Sequence, residues 1–112
     1  MLGGTRYFQS PPLGERKDGR NLFDQWRESK RSRNLTDTQF RLVQTRQELA
    51  QVNKNTVKYL FGSFSQSHLL YDQQRLQSNT TTEPSIVEMT EAAINVLQNN
   101  DKGFFLLVEG IW

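Results

Sequence analysis

The feature that most constrains the fold is a run of large apolar residues near the end of the sequence, GFFLLV at residues 103–108. Successive side chains of a strand point to opposite faces of a sheet, and here the positions of both faces are apolar. That pattern is typical of a strand in a parallel sheet that helices cover on both sides. The run therefore predicts a buried strand that ends at a carboxylate, Glu109, and needs neighbouring strands and two covering layers.

The rest of the sequence offers little material for those layers. Its 112 residues suffice for one small domain at most, since domains commonly contain about 100–150 residues. Hydrophobic residues make up only 35% and the mean hydropathy is −0.72. We therefore interpret residues 1–112 as an internal fragment of a single larger domain. Residues 1–20 are expected to be mostly loop, and residues 83–110 a helix followed by the buried strand.

The first half of the sequence alternates between helix and strand patterns. After a possible strand stub at Met1–Leu2, apolar residues spaced i, i+1 and i+4 (Leu22, Phe23, Trp26) predict a short amphipathic helix. Residues 40–43 predict a short strand. Residues 45–48, Thr-Arg-Gln-Glu, have the pattern of a capping box, which marks the start of the next helix.

The second half continues this alternation. An apolar run at residues 57–64 predicts a strand that ends near Gly62, and residues 72–82 are polar and predict irregular structure. Pro84 suits the first turn of the clearest helix, because a missing amide costs nothing there. One face of that helix carries Ile86, Met89, Ala93 and Leu97. Short strands alternating with helices predict an α/β fold with a parallel sheet.

Composition limits the classes of function. Fourteen basic against twelve acidic residues give a net charge of +2, too small to indicate nucleic acid by itself. Without cysteine there is neither a disulfide nor a thiolate metal site. The first twenty residues lack the apolar stretch of a signal peptide, and no run approaches the ~20 apolar residues of a membrane span.

A few side chains are candidates for chemistry, each with a simpler alternative. Glu109 follows a predicted strand end, where a carboxylate suits magnesium, although solvated acidic residues are frequent there. His68, the single histidine, is expected in a loop at the surface or half-buried, and one imidazole excludes a zinc site built from several. The basic run Arg27–Arg33 is either a phosphate-binding patch or a solvated helix face. Sequons at Asn34 and Asn79 are candidate glycosylation sites.

Several consecutive stretches resemble animal-type alkaline phosphatases. They are DGRNLFDQW, KYLFGSFSQSHLLYDQQR and EPSIVEMTEAAINVLQNNDKGFFLLVEG, and LGGTRYF near the start is similar to a glycine-rich segment of the same family. The resemblance implies a metal-dependent phosphate-monoester hydrolase on a three-layer α/β/α sandwich with a mainly parallel sheet, of which this chain is an incomplete piece. It also implies a homodimer, phosphate-monoester substrates, two zinc ions and one magnesium ion, and an extracellular or cell-surface location.

By that resemblance Glu109 corresponds to the glutamate of the family's VEG motif, which binds magnesium. The nucleophilic serine of an Asp-Ser-Ala setting and the zinc ligands of a GGRIDHGHH-like run have no counterparts in this sequence. The family's calcium site is also altered, because its Phe-Glu pair is Phe64-Ser65 here, while Glu83 matches a later acidic ligand. We therefore expect no activity from the chain alone. The alternative is a non-catalytic decoy or small binding module that pairs with a full-length relative.

Overall fold

The computed structural model describes residues 1–78 and 81–110. Six regular elements follow a short 3-10 helix at Thr5–Tyr7. In chain order they are α1 (Leu22–Arg31), β1 (Phe40–Val43), α2 (Arg46–Ala50), β2 (Tyr59–Gly62), α3 (Asp72–Gln77) and α4 (Ile86–Leu97).

The sheet is parallel, as predicted. Phe40 of β1 is the partner of Tyr59 in β2, and the register continues to the pair Val43 and Gly62. The strand stub predicted at the N-terminus is a single parallel bridge between Leu2 and Ser63, beside the end of β2. The α/β class is therefore confirmed on a small parallel sheet.

Aromatic side chains fill the space between α1 and one face of this sheet. The Trp26 ring lies 5.7 Å from the ring centroids of both Phe40 and Phe61 in edge-on geometry. Phe23 stacks on Phe8 at 5.3 Å and meets Phe61 edge-on at 5.6 Å. These offset and edge-to-face arrangements are the favoured ones for aromatic pairs, so α1 is held to the sheet by the helix face that the sequence predicted.

The opposite face of the sheet carries the aliphatic core. Its buried centre is Val43, Leu49 and Phe64. Residues packed against this centre come from the turn after α2, from β2 and the loop after it, and from α4: Val52, Leu60, Leu69, Met89 and Ala92. Helices thus lie on both faces of the β1–β2 sheet, a small version of the layered arrangement expected from the sequence.

Two N-caps fix where α2 and α4 begin. The Thr45 hydroxyl accepts a hydrogen bond from the Glu48 amide, which confirms the predicted capping box. A second capping box joins Ser85 and Glu88 in the same way. Because Ser85 is the N-cap, α4 begins at Ile86, two residues after the predicted start at Pro84.

Three sequence-based predictions were wrong in detail. Part of the stretch expected to be irregular forms α3, in which Arg75 pairs with Asp72 at 2.7 Å over one helical turn. Ile86 does not share the core-facing side of α4 with Met89, since it is exposed. The third error is the strand predicted at residues 103–108, because no described residue from 103 to 110 belongs to a strand.

The physical reason for the third error is the lack of partners. A strand with two apolar faces is stable only when neighbouring strands bond to its backbone and helices cover its faces. The sheet described here has two strands, and Leu2 already bridges to the end of β2. Phe105 is accordingly 86% exposed and Leu107 is 77% exposed.

Candidate functional site

Glu109 lies in the unpaired segment that follows α4. The side chain is exposed, and it forms no hydrogen bond or ion pair with another residue in the described ranges. Its neighbour Val108 lines one wall of a shallow groove of ≈ 460 Å³ on the outer face of α4. A Cβ placed on Gly110 would lie 3.5 Å from Cδ1 of Ile86, so the segment runs alongside the first turn of that helix.

The groove beside Glu109 is apolar at its centre. The residues that line it are Ile86, Val87, Thr90, Glu91, Ile94, Asn95 and Val108. Glu91 is the only carboxylate among these lining residues. Within residues 1–78 and 81–110, no group of three or more His, Asp or Glu side chains is close enough to hold a metal ion. The donors that this chain brings together therefore do not fit the magnesium or zinc centres implied by the resemblance.

Glu83 has a structural partner. Its Oε2 atom accepts a hydrogen bond of 2.8 Å from the Leu70 amide, and the residue is 9% exposed. Its own amide donates to the Thr81 hydroxyl at 3.2 Å. Ser65, which stands where the resemblance expects a calcium ligand, accepts a hydrogen bond from the Thr5 amide through its carbonyl. Glu83 thus connects the loop after β2 to the segment that precedes α4. Among the described residues, it belongs to no group of three or more carboxylate or histidine side chains that could form a calcium site.

Two of the four cations in the basic run Arg27–Arg33 are paired with nearby carboxylates. Arg27 pairs with Asp24 at 3.0 Å, and Arg31 pairs with Asp37 at 3.3 Å. Lys30 places its ammonium 4.4 Å from the centroid of the Tyr59 ring, and it also lies over Trp26. These contacts favour the solvated helix face over the phosphate-binding patch.

The remaining candidate residues lie apart from Glu109. His68 is exposed in the loop after β2, the position expected of it. Asn34 is exposed in the turn that follows α1, with φ of 60°, a backbone conformation that asparagine tolerates better than most residues. Asn79 lies outside the described residues.

The electrostatic feature that sequence reasoning missed is the contact between α2 and α4. Arg46 and Glu88 form an ion pair of 2.7 Å over 42 residues of sequence. A hydrogen bond from the Ser85 amide holds the pKa of Glu88 below its ordinary value; burial opposes this lowering, and the hydrogen bond from Arg46 adds to it. Arg46 and Glu88 each lie in the first turn of a helix that the sequence predicts. Patterns within one helix do not indicate which helix ends contact each other in the fold.

Comparison with known proteins decides the family. The family model of alkaline phosphatase matches residues 1–111. The chain belongs to the alkaline phosphatase family. A membrane-bound alkaline phosphatase of Bombyx mori is 41% identical over 110 residues, which cover 98% of this chain and 19% of the relative.

Vertebrate members of the alkaline phosphatase family give the same result. An alkaline phosphatase of Gadus morhua is 43% identical, with 98% of this chain and 24% of the relative covered. The human tissue-nonspecific isozyme is 38% identical, with 98% and 22% covered. The chain thus spans about a fifth to a quarter of the length of the alkaline phosphatases it matches.

None of the helices in the described ranges combines the length and apolar character that a membrane crossing requires.

Proposed function

We propose that this chain forms the part of an alkaline phosphatase domain that leads into its metal centre, and that Glu109 is a magnesium ligand of the complete phosphate-monoester hydrolase. The observation that supports this most is the family match over residues 1–111, which includes Val108-Glu109-Gly110. The full activity is proposed for the complete domain, because the chain covers only 19–24% of its relatives.

A complete family domain would hold two zinc ions and one magnesium ion, which act as Lewis acids on the phosphoryl group. Magnesium in proteins takes oxygen ligands in near-octahedral geometry and needs several of them at once. Glu109 offers one carboxylate on an exposed segment, and the described residues bring no second ligand set to it. We therefore assign no catalytic step to residues of this chain alone.

The chain by itself is expected to be inactive. No Asp-Ser pair occurs in the sequence, and His68 is the single histidine, so neither the nucleophile nor a set of zinc ligands is available. Because such groups act as a unit, losing one of them commonly costs several orders of magnitude in rate. Purified chain should hydrolyse p-nitrophenyl phosphate at the rate of a buffer blank, at alkaline pH with zinc and magnesium added. Turnover that EDTA abolishes would refute this part of the proposal.

The role of Glu109 is tested by making the same substitution in this chain and in a full-length relative. In this chain, Glu109→Gln should leave the calorimetric magnesium titration unchanged, because a lone carboxylate binds the ion too weakly to register. In a full-length relative, the corresponding change should lower both activity and retained magnesium. Equal activity and equal magnesium content in that relative would contradict the assignment.

We also propose the remaining family properties for the complete protein: a homodimer, an extracellular or cell-surface location, and glycosylation at Asn34 or Asn79. For Asn34, exposure in a turn supports access by the modifying enzyme. Expression through a secretory pathway should yield a mass shift that a glycosidase removes. Asn34→Gln and Asn79→Gln, made separately, would show which sequon carries the glycan, and an unshifted wild-type mass would exclude both.

A further inference from the structure

The turn at Asp18-Gly19 contains a reactive pair of residues. Asp18 is the one aspartate or asparagine of the sequence that precedes a glycine. In such a pair the backbone nitrogen of the glycine can attack the side-chain carbonyl carbon of the aspartate, because no Cβ shields that nitrogen and the glycine backbone rotates freely. Gly19 has a φ of 71°, in the left-handed region that glycine adopts without strain. The turn therefore brings together both reacting groups of a spontaneous ring closure.

The ring closure joins the Gly19 nitrogen to Cγ of Asp18. The carboxyl hydroxyl and the amide proton leave together as one molecule of water, and the product is a five-membered succinimide. When water adds to this ring, breakage of the new bond restores aspartate, and breakage of the original peptide bond gives isoaspartate. Water is the only co-reactant, and no oxidation takes place. The neutral carboxyl group is the reactive form, because a carboxylate repels the nucleophile and lacks a leaving hydroxyl.

Three hydrogen bonds occupy the Asp18 carboxylate. Nε of Arg16 donates to Oδ1 at 3.0 Å, and Nη2 of Arg16 donates to Oδ2. The Arg20 amide also donates to Oδ1, at 3.2 Å. A guanidinium that binds both oxygens stabilises the charged carboxylate and fixes its orientation. These contacts therefore favour the ionised form of the carboxyl group, which does not react.

Arg16 is itself anchored to the segment before the turn. Its Nη1 atom donates to the Tyr7 carbonyl at 3.3 Å, and its backbone amide donates to the Gln9 carbonyl at 3.0 Å. The hydrogen bond from Arg16 holds the pKa of the Asp18 carboxyl below its ordinary value, and desolvation opposes this lowering. The contacts that restrain the carboxylate are thus made within residues 7–20 and require no other part of a larger domain.

We propose that Asp18-Gly19 is a site of spontaneous isoaspartate formation, and that Arg16 suppresses the reaction by holding the Asp18 carboxylate in its ionised form. Conversion lengthens the main chain at residue 18 by one methylene and leaves the carboxylate directly on Cα, so the contact with both guanidinium nitrogens is not restored. The reaction is independent of the proposed function, since neither metal, phosphate ester nor partner takes part in it.

The test is prolonged incubation of the 112-residue chain at neutral pH and physiological temperature. A glutamate-specific protease then releases residues 16–28, and an isoaspartyl methyltransferase measures isoaspartate in that peptide. Arg16→Gln should accumulate isoaspartate about two- to fivefold faster than wild type, the factor by which an exposed ion pair shifts an equilibrium. Arg16→Lys, which keeps the charge without the two-pronged contact, should give a rate between those of wild type and Arg16→Gln.

Two variants serve as controls. Arg31 binds the exposed Asp37 carboxylate through Nε and Nη2, each 3.3 Å from Oδ1, but a threonine follows Asp37. Arg31→Gln should therefore leave isoaspartate at the wild-type amount. Asp18→Glu should leave the peptide of residues 16–28 without label, because the longer side chain would have to close a six-membered ring. Equal far-UV circular dichroism of all variants should show that the fold is retained.

Three results would overturn the proposal. The first is a peptide of residues 16–28 that stays without label in Arg16→Gln, so that no isoaspartate forms even after the guanidinium is removed. The second is equal accumulation in wild type and Arg16→Gln, which would mean that Arg16 gives no protection. The third is label that persists in Asp18→Glu, which would place the modified residue elsewhere in the peptide.

Discussion

The Nε atom of Arg46 lies 2.7 Å from Oε1 of Glu88, and this ion pair joins the first turn of α2 to the first turn of α4. The Arg46 amide also donates to the Thr82 carbonyl at 2.6 Å. Glu88 accepts a further hydrogen bond of 2.8 Å from the Ser85 amide. The Glu88 carboxylate therefore caps α4 and also fixes the position of α2.

Glu88 should give the stability of the chain a dependence on acid pH. Since folding lowers the pKa of Glu88, its contribution is complete above the ordinary carboxylate pKa, about 4.3, and is lost as the pH falls through the lower folded pKa. Glu88→Gln should reduce the free energy of unfolding by about 0.5–1 kcal/mol at neutral pH. The measurement is urea denaturation between pH 7 and pH 3, in which the variant should show the shallower acid limb. Glu28→Gln, an exposed change on α1, should follow wild type at every pH.

The N-cap side chains of α2 and α4 should also contribute to stability. Thr45→Ala and Ser85→Ala each remove the side-chain oxygen that accepts an amide of the first turn. Each change should lower the free energy of unfolding by about 1 kcal/mol. Ser85→Asn, which keeps an acceptor, should restore most of the loss in urea denaturation. Ser29→Ala within α1 is the control, and a loss of stability there equal to that of Ser85→Ala would argue against capping as the cause.

Substitutions at two phenylalanines compare a buried core position with an exposed one. Phe64 is 6% exposed in the aliphatic core, whereas Phe105 is almost uncovered. Phe64→Ala should cost about 3–5 kcal/mol, comparable to the whole stability of a domain this small, so its near-UV circular dichroism should be lost. Phe105→Ala should leave that spectrum unchanged. Similar behaviour of the two variants would mean that residues 104–108 are buried in solution.

The uncovered apolar segment should bind a hydrophobic dye. We expect the wild-type chain to enhance the fluorescence of ANS, because Phe105 and Leu107 offer apolar surface to solvent. Replacing both with serine should remove most of the enhancement while the far-UV circular dichroism stays constant. Enhancement that persists in the double variant would locate the dye elsewhere, and Tyr7→Ser, a change at an exposed aromatic outside this segment, is the control.

Local signals explain which parts of the fold could be predicted. The cap formed by Thr45 and Glu48 depends on residues within four positions, and the apolar run at residues 40–43 has its strand partner, β2, within the described chain; both were found. Helix α3 lacks an apolar face and owes part of its order to the Asp72–Arg75 pair, so a search for apolar periodicity missed it.

The prediction for the final segment was wrong because its structure depends on long-range contacts. Its pattern is typical of a strand, but a strand forms only when distant segments supply its hydrogen bonds. The prediction for Glu109 has the same limit. The sequence suggests one ligand, whereas a metal site requires several groups brought together. The family match covers Glu109, and the described fold supplies one carboxylate on the surface.

The bridge between Leu2 and Ser63 has a consequence for the integrity of the chain. Five backbone hydrogen bonds join residues 2–6 to residues 62–67, and the Thr5 and Ser63 hydroxyls meet at 2.7 Å. The connection between these two stretches passes through an exposed loop that contains Lys17. A protease that cuts at Lys17 would therefore leave the first seventeen residues docked on the remainder, and the nick would be visible only after denaturation.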